Sequence, residues 1–168
     1  MDDLFKGSCR VKGLYVLLIA LLEARTITIG SLGPLPFAKG CYGYIGSALG
    51  GLRGRIARHL RKDKVKRWHI DYLLEHAEVK EVLTLEALGE GKGWECLIAE
   101  RVGHELQRIA HFGSSDCRCG GHLFFSPSMG PLREAFFKAM AALSRQENSF
   151  RGPFLWQVVE GTLKAPRG

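Results

Sequence analysis

The stretch "GCYGYIGSALGGLRGRIARHL" runs from Gly40 to Leu60. Its first half alternates aromatic and small residues, which predicts a strand ended by Gly46. Its second half changes period. Leu49, Leu52, Ile56 and Leu60 recur at steps of three and four, the apolar stripe of a helix. Arg53, Arg58, Arg61 and Lys62 fall mostly off that stripe. Arg55 and His59 are four apart and share a face beside it. A strand feeding a basic helix is the core of the fold expected here.

Upstream, "GLYVLLIALLEA" from Gly13 is continuously apolar and predicts a buried strand, although its Leu/Ala end also suits a helix. "RTITIGSLGPLPF" carries β-branched alternation and then Gly and Pro breakers, a second strand and a loop. Downstream, "KRWHIDYLLEHA" predicts a helix with Trp68, Tyr72 and Leu73 inward. Val82 to Leu85 predict a strand. "GWECLIAERVGHELQRIA" reads as one helix with Glu95 in its first turn. A Gly/Ser/Cys loop from Gly113 to Gly121 precedes the apolar "HLFFS". Pro131 opens a helix lined by Leu132, Phe136, Met140 and Leu143. The segment "GPFLWQVVEGTL" suits either strand or helix.

This order predicts an α/β (α+β) domain with a small mixed or antiparallel sheet flanked by helices. The 168 residues suit one domain, with a core over 13–110 and a C-terminal extension over 111–168. No Gly-rich phosphate loop follows a strand, so no nucleotide cofactor is expected. The net charge of +7 favours an anionic partner, nucleic acid first and an acidic membrane surface second. Five cysteines, an odd count, argue against a secreted disulfide framework. A polar, acidic start and a longest apolar run of nine residues (Leu14 to Leu22) predict a cytoplasmic protein with no membrane span.

"GLY" at 13–15, "YIG" at 44–46 and "RIARH" at 55–59, followed by "ECLIAE" at 95–100, resemble the GIY-YIG nuclease superfamily. The longer runs "YIGSALGGL", "RWHIDYLL" and "FGSSDCRCGGHLFF" resemble a branch whose members are sometimes fused to DNA glycosylases of the endonuclease III type. The resemblance covers roughly residues 13–102. It implies a metal-dependent DNA endonuclease with Mg²⁺ or Mn²⁺ as cofactor, a DNA-repair context and a repair-protein partner. The sequence departs from the family in one place. Tyr15 and Tyr44 lie 29 positions apart, where the family has a short connection. The inserted hairpin either reshapes the substrate groove or closes it.

The resemblance also assigns roles. Glu95, with Glu100 as the fallback, would hold the metal, which polarises the phosphate and stabilises the leaving oxygen. Arg55 would clamp the phosphate with its planar guanidinium. Tyr15 would orient or deprotonate the water, with Tyr44 as its partner. His59 would hold a tyrosine hydroxyl or a phosphate. Gly46 and Ser47, at the expected turn into the helix, would meet the backbone of the nucleic acid. Arg53, Arg58, Arg61, Lys62 and Arg67 would form a phosphate-tracking rail. His69 is read as hydrogen-bonded to backbone, with a phosphate contact as its other reading.

Plainer readings stand beside these. The tyrosines are then core aromatics, the arginines a solvated face, and Glu95 a partner of its helix dipole. A non-enzymatic nucleic-acid-binding module is the rival function, and a zinc-stabilised interaction domain the third. Cys117, Cys119 and His122 provide three soft ligands, and Cys96, His104 or His111 would have to supply a fourth. A tight loop without zinc is the reading preferred here.

Overall fold

A computed structural model describes residues 10–89, 91, 93–114 and 117–165. Cys9 and the chain start, and Ser115 and Asp116 of the Gly/Ser/Cys loop, lie outside the described residues. The fold is mixed α+β. Seven antiparallel strands form one sheet, and four helices cover its two faces.

The strands are β1 (Gly13–Leu21), β4 (Gly40–Ala48), β5 (Glu78–Ala87), β6 (Gln107–Ile109), β7 (Leu123–Ser126), β8 (Phe150–Val159) and β9 (Thr162–Lys164), in spatial order β6-β7-β4-β1-β5-β8-β9. The C-terminal extension is therefore woven into the sheet at both margins. β2 (Arg25–Thr28) and β3 (Pro34–Phe37) are the inserted segment and pair only with each other. Gly30 and Gly33, both at positive φ, turn the chain between them.

β1 is apolar throughout because both of its faces are buried. Tyr15, Leu17 and Ile19 point to one face, and Leu14, Val16 and Leu18 to the other. The first face is covered by α1 (Leu52–Leu60), α2 (His69–Leu74) and the β2–β3 hairpin. The second is covered by α3 (Trp94–Val102) and α4 (Met129–Gln146). Leu132, Phe136, Met140 and Leu143 of α4 are buried, as their spacing predicts. Buried Glu81 of β5 receives a bidentate ion pair from Arg133 of α4 and a hydrogen bond from Gln157 of β8.

Three expectations need correction. β4 does not end at Gly46 but continues to Ala48, and Gly46 lies opposite Tyr15. A Cβ at Gly46 would come within 2.5 Å of the Tyr15 hydroxyl oxygen, so the glycine makes room for that ring rather than a turn. Leu49 precedes α1 and is exposed; Gly51, at φ 120°, starts the helix and leaves Leu52 and Ile56 as its buried stripe. The helix expected through residue 110 stops at Val102, and the chain returns as edge strand β6. The tail is strand, not helix.

Candidate functional site

The register of β1 against β4 brings Tyr15 and Tyr44 to the same sheet face, two residues apart across the pair. α1 crosses above them. Its last turn lowers His59 onto both rings, with centroids 5.3 Å from Tyr15 and 6.3 Å from Tyr44. Tyr15 Oη and His59 Nε2 share a 2.8 Å hydrogen bond. Burial, followed by the nearby Lys64 charge, drives His59 down to about 3, so the imidazole is neutral at physiological pH. Its Nδ1 has no hydrogen-bond partner among the described residues. Burial also pushes the Tyr15 phenol up to about 12, against the pull of Arg55 beside it. Tyr44 is raised as well, by burial first and then by Tyr15. Both tyrosines are therefore neutral in this environment.

Arg55 is half-buried at the rim. It donates to the Ser47 carbonyl at 3.3 Å, and its guanidinium lies 4.6 Å from the centre of the Trp68 ring. Arg58 has a different role from the expected rail. It forms a bidentate pair with Asp71, 3.0 and 2.9 Å, and lies 4.1 Å from the centre of Trp68. Asp71 is buried and also accepts the Arg67 and Trp68 backbone N–H groups. Burial alone would raise its carboxyl; Arg58 and the two amides outweigh that and hold it at about 2. Lys64 donates to the His59 and Arg58 carbonyls and so closes the C-terminal end of α1. Arg53, Arg61, Lys62 and Arg67 are exposed.

His69 behaves as its backbone-bonded reading expects: Gly113 N–H donates to its Nδ1 at 2.8 Å. That bond ties α2 to the loop after β6. Phe112, fully buried, stacks edge-on against Tyr44, His69 and Phe37 of the hairpin. Phe112 and Gly113 thus wall off Tyr44, and the hairpin supports the wall from behind. The sequence places Trp68 inward and puts Phe112 and Gly113 at the head of "FGSSDCRCGGHLFF". The packing of Trp68 on Arg55 and Arg58 and the wall over Tyr44 depend on contacts between distant segments, which sequence reasoning missed.

Glu95 arrives on α3, whose apolar side packs on the opposite sheet face. It sits half-buried in the first turn. No hydrogen bond or ion pair engages its carboxylate among the described residues. Its charge adds a little to the burial that raises Tyr44 and partly opposes the burial that lowers His122. Glu100 is exposed, farther along the helix.

Beside Glu95, Cys96 meets Cys117, Cys119 and His122. Their four ligand atoms all lie within 4.8 Å of one another and could hold one metal ion. The fourth ligand is thus Cys96; His104 and His111 are not in the group. This arrangement weighs against the metal-free loop preferred from sequence. Burial raises the Cys96 and Cys119 thiols, helped at Cys96 by the Cys119 and Cys117 sulfurs and at Cys119 by that of Cys117.

A family model for the domain of unknown function DUF123 matches residues 14–145. The chain belongs to that family. The match spans the tyrosine cluster, α3 and the Cys/His group of the DUF123 domain. No curated protein and no solved structure matches it. Among the described residues of this DUF123 chain, no helix is long and apolar enough to cross a membrane.

Proposed function

We propose that this DUF123 domain is a GIY-YIG-like, Mg²⁺- or Mn²⁺-dependent DNA endonuclease. The observation that carries the reading is the convergence of Tyr15, Tyr44, His59 and Arg55, four residues from three elements, around one buried hydrogen bond. Arg55 at the rim of that cluster and Glu95, whose charge is felt at Tyr44, are both half-exposed. The Glu95 carboxylate, without a hydrogen bond or ion pair among the described residues, suits a hydrated divalent cation, which takes few protein ligands and keeps its waters. Such a cation would supply Lewis-acid stabilisation at the phosphate. The chain's own residues do the rest. Arg55 neutralises and orients the phosphate. Neutral His59 fixes the Tyr15 hydroxyl, and Tyr15 orients the attacking water. A phenol held near 12 is a poor base at neutral pH, so it acts as base only where a bound cation lowers it. The repair context and a repair-protein partner follow from the same resemblance.

The burial of the two phenols favours a second reading. Tyr15 is 2% exposed and Tyr44 9%. Sealed phenols suit a nucleic-acid-binding module that no longer cuts. Branched, nicked and plain DNA incubated with Mg²⁺ or Mn²⁺ separates the two. The nuclease reading expects cleavage that falls by at least about 100-fold in both Arg55→Ala and Glu95→Ala, the order of a lost phosphate clamp or metal ligand. Cleavage unchanged in both variants removes the site assignment. Salt-sensitive binding with no cutting in either metal supports the second reading.

A further inference from the structure

We propose that Cys96, Cys117, Cys119 and His122 form a closed tetrahedral Zn²⁺ site that fastens the loop after β6 to the first turn of α3. The site stands independently of the nuclease reading, since none of its four ligands belongs to the tyrosine cluster.

The geometry is that of a shell around one small ion. Cys119 Sγ lies 2.8 Å from His122 Nε2, 2.7 Å from Cys117 Sγ and 3.2 Å from Cys96 Sγ. Cys117 and Cys96 lie 3.5 and 3.7 Å from the same imidazole nitrogen. Ligands about 2.3 Å (S) and 2.0 Å (N) from a tetrahedral zinc sit roughly 3.5–3.8 Å apart. Three of the five distances are shorter than that, so the sulfurs need only spread by about 1 Å or less to admit the ion. All four cysteines described outside position 9 are free thiols, so no disulfide competes for these sulfurs.

The donor set names the metal. Three thiolates and one imidazole in a single tetrahedral shell select zinc over the hard cations that carboxylates hold. The complete set of four protein ligands leaves no open position for a substrate, so the site is structural. With three thiolates and a neutral imidazole around Zn²⁺, the shell would carry a single net negative charge. Arg108 lies alongside: a Cβ at Gly120 would come within 2.8 Å of its Nη1, and its Nη2 donates to the Ala99 carbonyl of α3. A cation thus spans the same two segments that the metal joins.

The scaffold is set by backbone. His122 N–H donates to the Phe112 carbonyl, and Ile45 N–H of β4 to the His122 carbonyl. A Cβ at Gly113 would come within 2.9 Å of Tyr44 and 3.4 Å of His122 Cβ. The metal loop and the wall over Tyr44 are therefore one structure. The ion would hold that wall in place and fix the start of α3, where Glu95 neighbours Cys96.

The test uses the full chain purified under reducing, chelator-free conditions. Elemental analysis should find about one zinc per chain. The metal-stripped, reduced protein titrated with Co²⁺ should show the intense visible bands and thiolate charge transfer of a tetrahedral sulfur-rich site. Cys119→Ser should lose most of the bound zinc, whereas Cys41→Ser and the conservative His122→Cys should keep it. Hydrogen exchange across residues 110–122 should speed up many-fold on stripping. Iron in place of zinc, a weak octahedral cobalt spectrum, or unchanged zinc content in Cys119→Ser would each overturn the proposal. Should Cys119→Ser fail to fold, the cobalt titration of the unmutated chain decides alone.

Discussion

Two clusters meet at Gly113, and they are built on opposite principles. Under α1, nearly every polar atom already has a protein partner: Tyr15 with His59, Arg58 with Asp71, His69 with Gly113 N–H. Burial there selects neutral phenols and a neutral imidazole. At the start of α3, by contrast, the ligand atoms have chiefly one another. The first cluster holds its shape through hydrogen bonds and packing. The second is complete only as a shell around an ion. The pre-formed tyrosine cluster and the Cys/His group are joined through Gly113, whose amide donates to His69, and through the His122–Phe112 and Ile45–His122 backbone bonds.

That contrast can be broken from the tyrosine side, with zinc content as the control that should not move. The largest effect is expected from Asp71→Asn. The Asp71 side chain is fully buried and that of Arg58 only 15% exposed, so removing one charge strands the other. The loss should be about 3–5 kcal/mol, read from urea unfolding at neutral pH. The wild-type protein should also weaken as pH falls from about 4 to about 2, because the Asp71 carboxyl is depressed in the fold and stabilises it only while ionised. Asp71→Asn should flatten that acid limb.

Next in size is the pH response of His59. Its folded-state value of about 3 lies below the ordinary 6.5, so the unfolded chain takes up a proton that the folded one refuses. Its contribution is therefore complete above pH 6.5 and is lost as pH falls towards 3, on the order of a few kcal/mol. Urea midpoints measured from pH 7.5 to 4 should slope accordingly, and the slope should shrink in His59→Phe. A slope identical in both proteins would show that His59 is not the titrating group.

The smallest effect is expected from Gly46→Ala. The added methyl would meet the Tyr15 hydroxyl oxygen at 2.5 Å and the ring carbon that bears it at 2.6 Å. The ring must move, costing about 1–3 kcal/mol as overpacking does, and the Tyr15–His59 bond must lengthen. Near-ultraviolet circular dichroism should report the displaced tyrosine while the fold persists.

Much of this architecture was legible in the sequence. The apolar run of β1 and the heptad-like stripe of α4 are signals of burial on a regular element, and such signals are local. The tyrosine pair and Arg55–His59 were also legible, because a strand register and a four-residue helical step place them. What was hidden depends on contacts between distant segments. Arg58 stands in a run of arginines along the chain; only the approach of Asp71 from α2 gives it a buried ion pair. Leu49 has the right period but lies before the Gly51 turn, so it never joins the helix whose spacing it shares. "GHELQRIA" reads as helix by composition, but it becomes an edge strand because β7 offers it hydrogen bonds. Cys96 stands 21 positions before Cys117, and no spacing rule nominates it over His104 or His111.

The margins of the sheet have a consequence of their own. β6 and β9, the outermost strands, are only three residues long each. A seven-stranded antiparallel sheet with long margins would offer unpaired amides and carbonyls to any other strand that drifted by. On the β6 side the outermost ladder is little more than one hydrogen-bonded repeat, whereas on the other side β9 covers only Gln157–Val159 of the ten-residue β8. The β6 margin thus offers little backbone to another strand, and the long, apolar β1 is kept at the centre of the sheet, flanked by β4 and β5.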